Sequence, residues 1–323
     1  MGRLRRRFVV LNIAIIGTVT VVVAIVIFFG TPVQMQAGRL IGTLLITLGL
    51  IFFGSMLSSG IAMKPIRSSW QRQLDFTADA SHELRTPLAV IQSNLELVLD
   101  NPSETVGSQS KWLGNIHIET LRMAKLVDDL LTLSRGDAGG QTLNYSSFSL
   151  YSVAAETAAL YETAARQKGI DIHVRGAADS ESADGRSAYS GSVDGEILIK
   201  ADITRIRQLF GILVDNAVKY SDKPGRIDID FDVSKNDNTV QIEVTDTGTG
   251  IAREHLDKIF GRFYRAGKQA GAPVDRQASD GFGLGLSIAE LILKEHGGSI
   301  RVDSVVGEGT RFYIKLPVHN KLA

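Results

Sequence analysis

Two long uncharged apolar runs constrain this chain more than any other feature. Phe8 to Gly30 is interrupted only by Asn12, Thr18 and Thr20, and Leu40 to Met63 follows without a single charge. A helix of about 20 apolar residues spans a bilayer, so each run is long enough to cross with some tilt. A cleaved signal peptide is the alternative for the first run, but its apolar core would exceed the usual span of about 7–15 residues. Arg3, Arg5, Arg6 and Arg7 precede the first run, Lys64, Arg67 and Arg72 follow the second, and the loop between them carries only Arg39. Positive charge held on one side predicts a two-span region over residues 1–63 in the cell membrane, in contact with lipid and with both chain ends cytoplasmic. The loop Thr31–Arg39 is too short to enclose a ligand pocket. Input is therefore expected within the membrane or from another membrane protein, at small residues such as Gly42, Gly49, Gly54 and Ser58 where helices approach closely.

The remainder is a cytoplasmic body. With 323 residues the whole chain has room for about two domains beyond the spans. Lys plus Arg number 35 and Asp plus Glu also 35, so no net basic charge argues for direct nucleic-acid binding. There is no cysteine, which excludes disulfides and thiolate metal sites.

Past the second run the chain reads as helix. Leu84, Leu88, Ile91, Leu95 and Val98 alternate steps of four and three, a heptad seam. Asn101-Pro102-Ser103 breaks it, and a second seam runs Leu113, Ile116, Thr120, Met123, Val127 and Leu130, widened by Leu126, Leu131 and Leu133. Two helices with such faces cannot bury them alone, which predicts a dimer of hairpins forming a four-helix bundle. On this register His82 and Glu83 point away from the seam. Pro87, five residues after His82, removes the hydrogen bond to the Glu83 carbonyl and is expected to bend the helix there. An exposed imidazole beside a carboxylate can act as a nucleophile, the carboxylate orienting it and taking its proton. The other histidines (His117, His173, His255, His296 and His319) have no such setting.

The C-terminal half changes pattern. Strands are predicted at Ser147–Leu150, Ile170–Val174, Ile197–Lys200, Arg226–Val233, Thr239–Asp246, Ser299–Ser304 and Thr310–Leu316. Helices are predicted at Ser152–Gln167, Ile203–Tyr220, His255–Phe260 and Leu284–His296, giving an α+β sandwich with helices on one sheet face. The Ser-, Ala-, Gly- and Asp-rich stretch Ala177–Asp194 reads as a solvated insertion. Asn216, Lys219 and Tyr220 share one helix face, suited to a metal-bound phosphate and a stacked base. Asp246 ends a strand in a turn containing Gly248 and Gly250, an acceptor where backbone can approach closely. Gly281, Gly283 and Gly285 open a helix, where backbone N–H groups can converge on phosphate.

In this order the motifs resemble those of membrane-bound sensor histidine kinases of two-component signalling. Phe76–Leu88 resembles the H box, Leu209–Ser221 the N box, Asp246–Ile251 the G1 box, Ile259–Arg265 the F box, Gly281–Leu286 the G2 box and Gly307–Phe312 the last glycine box. The resemblance implies a dimerisation and histidine phosphotransfer domain over 64–136 and a GHKL-type ATP-binding domain over 145–319. It implies His82 as phosphoacceptor, Glu83 as its orienting base, and Thr86 as the residue that positions water for dephosphorylating a partner response regulator. Asn216 would hold Mg²⁺, Lys219 the phosphates of ATP, Tyr220 would pack near adenine, and Asp246 would accept from the adenine amino group. Gly248 and Gly250 would make room; Gly281, Gly283, Leu284 and Gly285 would serve a lid between Arg265 and Asp280, with Thr310 also at the nucleotide.

Two features depart from the family pattern. Ile212 stands where members often carry a second Asn, so metal binding rests on Asn216 and water. The stretch from Met63 to His82 is too short for a HAMP relay. The competing readings are a GHKL ATPase without a histidine acceptor and a degenerate signalling scaffold.

Overall fold

The computed structural model describes residues 73–137, 142–176, 197–221, 224–234, 238–266 and 281–318, with isolated helical positions at 17–19, 22, 25, 45, 49, 70 and 71. The chain divides into two units, Met1–Ala78 and Asp79–Ala323. Both apolar runs lie almost wholly outside the described residues, and among those described no helix is long and apolar enough to cross a membrane. The linker around Gly139, the insertion Ala177–Asp194 and the lid segment 267–280 also lie outside them.

Helix α1 runs over residues 73–99 and α2 over Ser110–Asp137, the two joined by a short turn. Helix α1 continues unbroken through Pro87, so the missing hydrogen bond does not end the helix as an isolated chain would favour; the proline ring is instead buried. The inner face of the hairpin differs from the expected seam. Pro87 and Asn94 are buried while Leu88 and Leu95 are exposed, and on α2 Leu126 and Leu133 are buried while Leu113 and Val127 are exposed. A polar pair explains the shift: Asn115 Nδ2 donates to Asn94 Oδ1 across the hairpin (3.2 Å), and Asn94 Nδ2 donates to the Val90 carbonyl (2.7 Å). At the closed end, Gln109 Nε2 donates to the carbonyls of Val98 (3.2 Å) and Asn101 (2.8 Å), tying the start of α2 to the end of α1 and the turn after it.

The remaining elements follow in chain order: β1 (Tyr145–Ser149), α3 (Leu150–Gln167), β2 (Ile170–Arg175), β3 (Leu198–Asp202), α4 (Ile203–Tyr220), β4 (Gly225–Ser234), β5 (Thr239–Asp246), α5 (Arg253–Leu256), α6 (Gly285–Glu295), β6 (Ser299–Val305) and β7 (Gly309–Pro317). Strands β1 and β3 form a two-stranded antiparallel pair, and the main sheet has the order β2-β4-β5-β7-β6. Within it β2 and β4 are parallel and the other pairs antiparallel. The parallel pair is possible because β3 and α4 together form the crossover between β2 and β4. The expected helix His255–Phe260 contracts to the single turn of α5, the chain continuing as turns through Phe260.

Burial alternates along β5, with Val240, Ile242, Val244 and Asp246 inside, so one face of the sheet is covered by helices. Its centre is aromatic: Phe231 of β4 meets Phe210 of α4 (centroids 6.2 Å apart) and Tyr151 of α3 (6.3 Å), both edge-on. Helix α4 starts on Asp202, whose Oδ1 accepts from the N–H groups of Thr204 (3.0 Å) and Arg205 (3.2 Å), a side-chain cap for open helical donors. The Asp202 N–H donates to Nε2 of buried His296 (3.1 Å), and His296 Nδ1 donates to the Ile292 carbonyl (2.8 Å). These two bonds fix one neutral tautomer and tie the end of α6 to the start of α4. The last turn of α2 lies against the same layer: a Cβ on Gly136 would fall 2.4 Å from Leu291 Cδ2, and Arg262 donates to Asp137 (2.7 Å).

Candidate active site

Helix α4 places the first group of site residues. Its apolar stripe (Ile206, Leu209, Phe210, Leu213, Val214, Ala217) is buried against the sheet. That orientation leaves Asn216 and Lys219 half-buried at the edge and Tyr220 exposed at the end. The Lys219 ammonium lies 5.1 Å from the Tyr220 ring centroid, within cation–π range.

Asp246 is the most enclosed of the site carboxylates, with 6% of its surface exposed. Its Oδ1 accepts from the N–H groups of Gly248 (2.9 Å) and Thr310 (3.3 Å), so both backbone donors fall on one oxygen and the other remains for a ligand donor. Burial raises its pKa above the ordinary carboxylate value, and the two backbone N–H groups oppose that only in part. The turn after it permits only glycine at two places. A Cβ at Gly248 would lie 2.2 Å from the Tyr220 carbonyl oxygen. Gly250 has φ +68 and its Cβ would lie 2.1 Å from the Val305 oxygen. Thr249 N–H donates to the Tyr220 carbonyl (3.0 Å), so this turn is bonded directly to the end of α4.

The glycine run before α6 closes the third side. A Cβ at Gly281 would come 3.2 Å from Lys219 Nζ, so bare backbone lies against the ammonium. Gly283 adopts φ +72, its Cβ position only 2.7 Å from the Tyr264 carbonyl, and Leu284 is buried beneath. At Gly285 the Cβ position is 3.2 Å from Ile212 Cγ2: the isoleucine that departs from the family pattern packs beneath the first residue of α6. Gly248 and Thr249 thus meet the end of α4, Thr310 meets Asp246, Gly250 meets Val305, and Lys219 meets Gly281.

His82, Glu83 and Thr86 sit on α1. His82 is exposed, as expected, and Thr86 is exposed one turn on; Glu83 is half-buried instead of fully solvent-facing. Among the described residues no cluster of three or more His, Asp or Glu could hold a metal. A magnesium ion would therefore depend on the Asn216 carboxamide, phosphate oxygens and water, a donor set that suits it.

Sequence reasoning missed three contributors. Gly309, at φ +115, has its Cβ position 2.0 Å from the Asp246 carbonyl. Ser304 Oγ donates to the Gly309 carbonyl (2.6 Å) and accepts from Ile251 N–H (2.8 Å). His255 Nδ1 is 2.7 Å from the Tyr264 hydroxyl, joining α5 to the segment that precedes the lid. Gly309 stood inside the last glycine box and could have been singled out; Ser304 acts through an approach between distant segments, and His255 through a turn contact nine residues on.

Comparison with known proteins matches this geometry. Residues 72–139 match the His Kinase A (phospho-acceptor) domain family, and residues 201–320 the histidine kinase-, DNA gyrase B- and HSP90-like ATPase family. Sensor histidine kinase RppB of Synechocystis sp. is 33% identical over 84% of this chain, which spans 55% of that relative's length. The structure of full-length ShkA in complex with AMPPNP is 25% identical with a TM-score of 0.53, covering 76% of this chain and 46% of that one. Histidine kinase ThkA in complex with the response regulator protein TrrA shares the fold at a TM-score of 0.56 and 24% identity, over 78% of this chain and 64% of that one. With the helical hairpin and the ATPase-type sheet on one chain and in this order, the protein belongs to the sensor histidine kinase family.

Proposed function

We propose that this chain is a membrane-bound, ATP-dependent protein-histidine kinase that phosphorylates His82 and passes the phosphoryl group to an aspartate of a response regulator. The reading is carried by one conjunction: a buried carboxylate with a free oxygen, Asp246, bonded through its glycine turn to the helix end bearing Lys219, on the same chain as an exposed His82 followed by Glu83. Asp246 accepts from the adenine amino group, Thr310 lies beside it, and Tyr220 covers the base. Lys219 and the backbone at Gly281 hold the phosphates, and Asn216 supplies the protein ligand for Mg²⁺, which would neutralise phosphate charge when bound. A His82 ring nitrogen forms the bond to the γ-phosphorus as the bond to the bridging oxygen breaks, ADP leaves, and Glu83 receives the ring proton. Thr86, one turn from His82, positions water for hydrolysis of the partner's phosphoaspartate.

The domain limits 64–136 and 145–319, a homodimer through the hairpin, and two membrane spans over 1–63 without a HAMP relay complete the proposal. The exposed Leu88, Leu95 and Val127 support the dimer, the complex of ThkA with TrrA supports a receiver-domain partner, and the uncharged runs support the spans. The test adds γ-labelled ATP to the chain in membranes. Acid-labile label on protein is expected; released phosphate alone would favour an ATPase, and no turnover a scaffold. Thr86→Ala is expected to keep that label while losing dephosphorylation of the phosphorylated regulator; retained dephosphorylation would make Thr86 a bystander. Replacing Thr31–Gly38 by a Gly/Ser linker should leave the response to stimulus intact. A silenced response would place the sensor in that loop.

A further inference from the structure

The end of α4 carries Lys219 and Tyr220, and its last four carbonyls need partners, because a helix leaves its final C=O groups open. All four are accounted for. The Ala217 carbonyl accepts from Ser221 N–H (3.0 Å) and the Tyr220 carbonyl from Thr249 N–H (3.0 Å). The two between them, Val218 and Lys219, both accept from the ammonium of Lys168, at 2.9 and 3.4 Å. Lys168 belongs to neither the nucleotide helix nor a glycine box. It is the C-cap of α3, followed by Gly169 at φ +67, and the left-handed glycine turns the chain out of α3 into β2. One half-buried cation therefore closes the end of a neighbouring helix, where its charge also meets the negative pole of that helix.

We infer that Lys168 is a positioning residue for nucleotide binding: by holding the Val218 and Lys219 carbonyls it fixes the last turn of α4, and with it the Lys219 ammonium and the Tyr220 ring. Lys168 does not touch the nucleotide. Its effect passes through the Val218 and Lys219 carbonyls to the Lys219 and Tyr220 side chains, so it governs affinity and leaves the reacting atoms alone. The neighbouring Thr249 bond then has a fixed carbonyl to meet, which joins the register of the Asp246 turn to the same device. The inference rests on the proposed nucleotide site.

The test measures binding of magnesium and a non-hydrolysable ATP analogue, and the rate of His82 labelling against ATP concentration, on the full chain. Lys168→Met removes both hydrogen bonds while keeping most of the apolar stem. It is expected to raise the dissociation constant and the KM for ATP roughly tenfold, with the rate at saturating ATP unchanged. Lys168→Arg, which can reach the same carbonyls, is expected to restore most of the affinity. Should the methionine variant fail to fold, Lys168→Leu, which also removes the donor, carries the same comparison. A variant that folds less stably but binds the analogue like the unaltered chain would overturn the inference, reducing Lys168 to a structural cap. An unaltered chain that binds no analogue would instead overturn the nucleotide site itself.

Discussion

The hairpin and the sheet layer of this protein solve the problem of burial in opposite ways. The sheet layer closes its own core: Ile206, Leu209, Phe210, Leu213, Ile227, Ile229 and Ile242 are all fully buried, drawn from α4, β4 and β5. The hairpin buries only Leu126 and Leu133 to that extent, adds the polar Asn94 and Gln109, and leaves leucines on both helices exposed. One region can bind a small molecule as a self-contained unit. The other leaves apolar surface open in a single chain, which the proposed dimer would cover with a second copy. On the proposed reading, the phosphoacceptor His82 sits on the part that leaves leucines exposed in a single chain, and the nucleotide on the part that closes its own core.

The largest effect that should separate the two regions comes from the exposed seam. Leu88→Asp with Leu95→Asp puts charges into the proposed dimer face and is expected to weaken association on the order of 100-fold or more, with ATP-analogue affinity unchanged. Sedimentation and analogue titration on the same sample check this; equal loss of both would erase the contrast.

Next in size is Asp246→Ala, which removes a buried acceptor worth about 1–3 kcal/mol and should weaken nucleotide binding by roughly 10–100-fold without changing dimerisation. A pH series sharpens it. Burial holds the Asp246 pKa above the ordinary carboxylate value, so as pH falls the group protonates earlier than a solvent-exposed aspartate and loses its acceptor role. Affinity of the unaltered chain should decline on acidification from above the usual carboxylate range, while the alanine variant stays flat. An unchanged dissociation constant would remove Asp246 from the adenine site.

The same contrast governs what the sequence could show. The helix Ile203–Tyr220 and the strand Thr239–Asp246 were legible to the residue, because a single face of each packs within one chain and the apolar period reports it directly. The hairpin seam was legible as a seam, but not which of its residues face the neighbouring helix. Leu88 and Leu95 have the same spacing whether they face the neighbouring helix or a second copy. Asn94, which does occupy the inner face, is polar and invisible to a count of apolar positions. The residues proposed for the nucleotide lie in local motifs, and the structure brings Gly248 against the end of α4 and Gly281 against Lys219. Lys168, the Ile251–Ser304 bond and the β2–β4 parallel pairing act across long stretches of sequence, and no local pattern marks them.

The smallest effect concerns the hairpin's own electrostatics. Burial, with the neighbouring Asp128, pushes the Asp129 carboxyl up to about 6 despite the opposing charge of Lys125. A carboxyl whose folded pKa exceeds its unfolded one costs stability above the folded value, and the cost vanishes below the unfolded one. Allowing for partial solvent screening, Asp129→Asn should stabilise the hairpin by roughly 1–2 kcal/mol above pH 6, the gain fading toward pH 4. Thermal melts across that range check it, and a gain independent of pH would show that the cost is not one of ionisation.

The central claim is that the exposed histidine of the hairpin receives the phosphoryl group held by the other region. The direct measurement is labelling by γ-labelled ATP in the full chain and in His82→Gln, with analogue binding measured in parallel. The account expects acid-labile, base-stable label in the unaltered chain, none in the variant, and the same analogue affinity in both. Label that persists in the variant, or nucleotide binding lost along with it, would contradict the account.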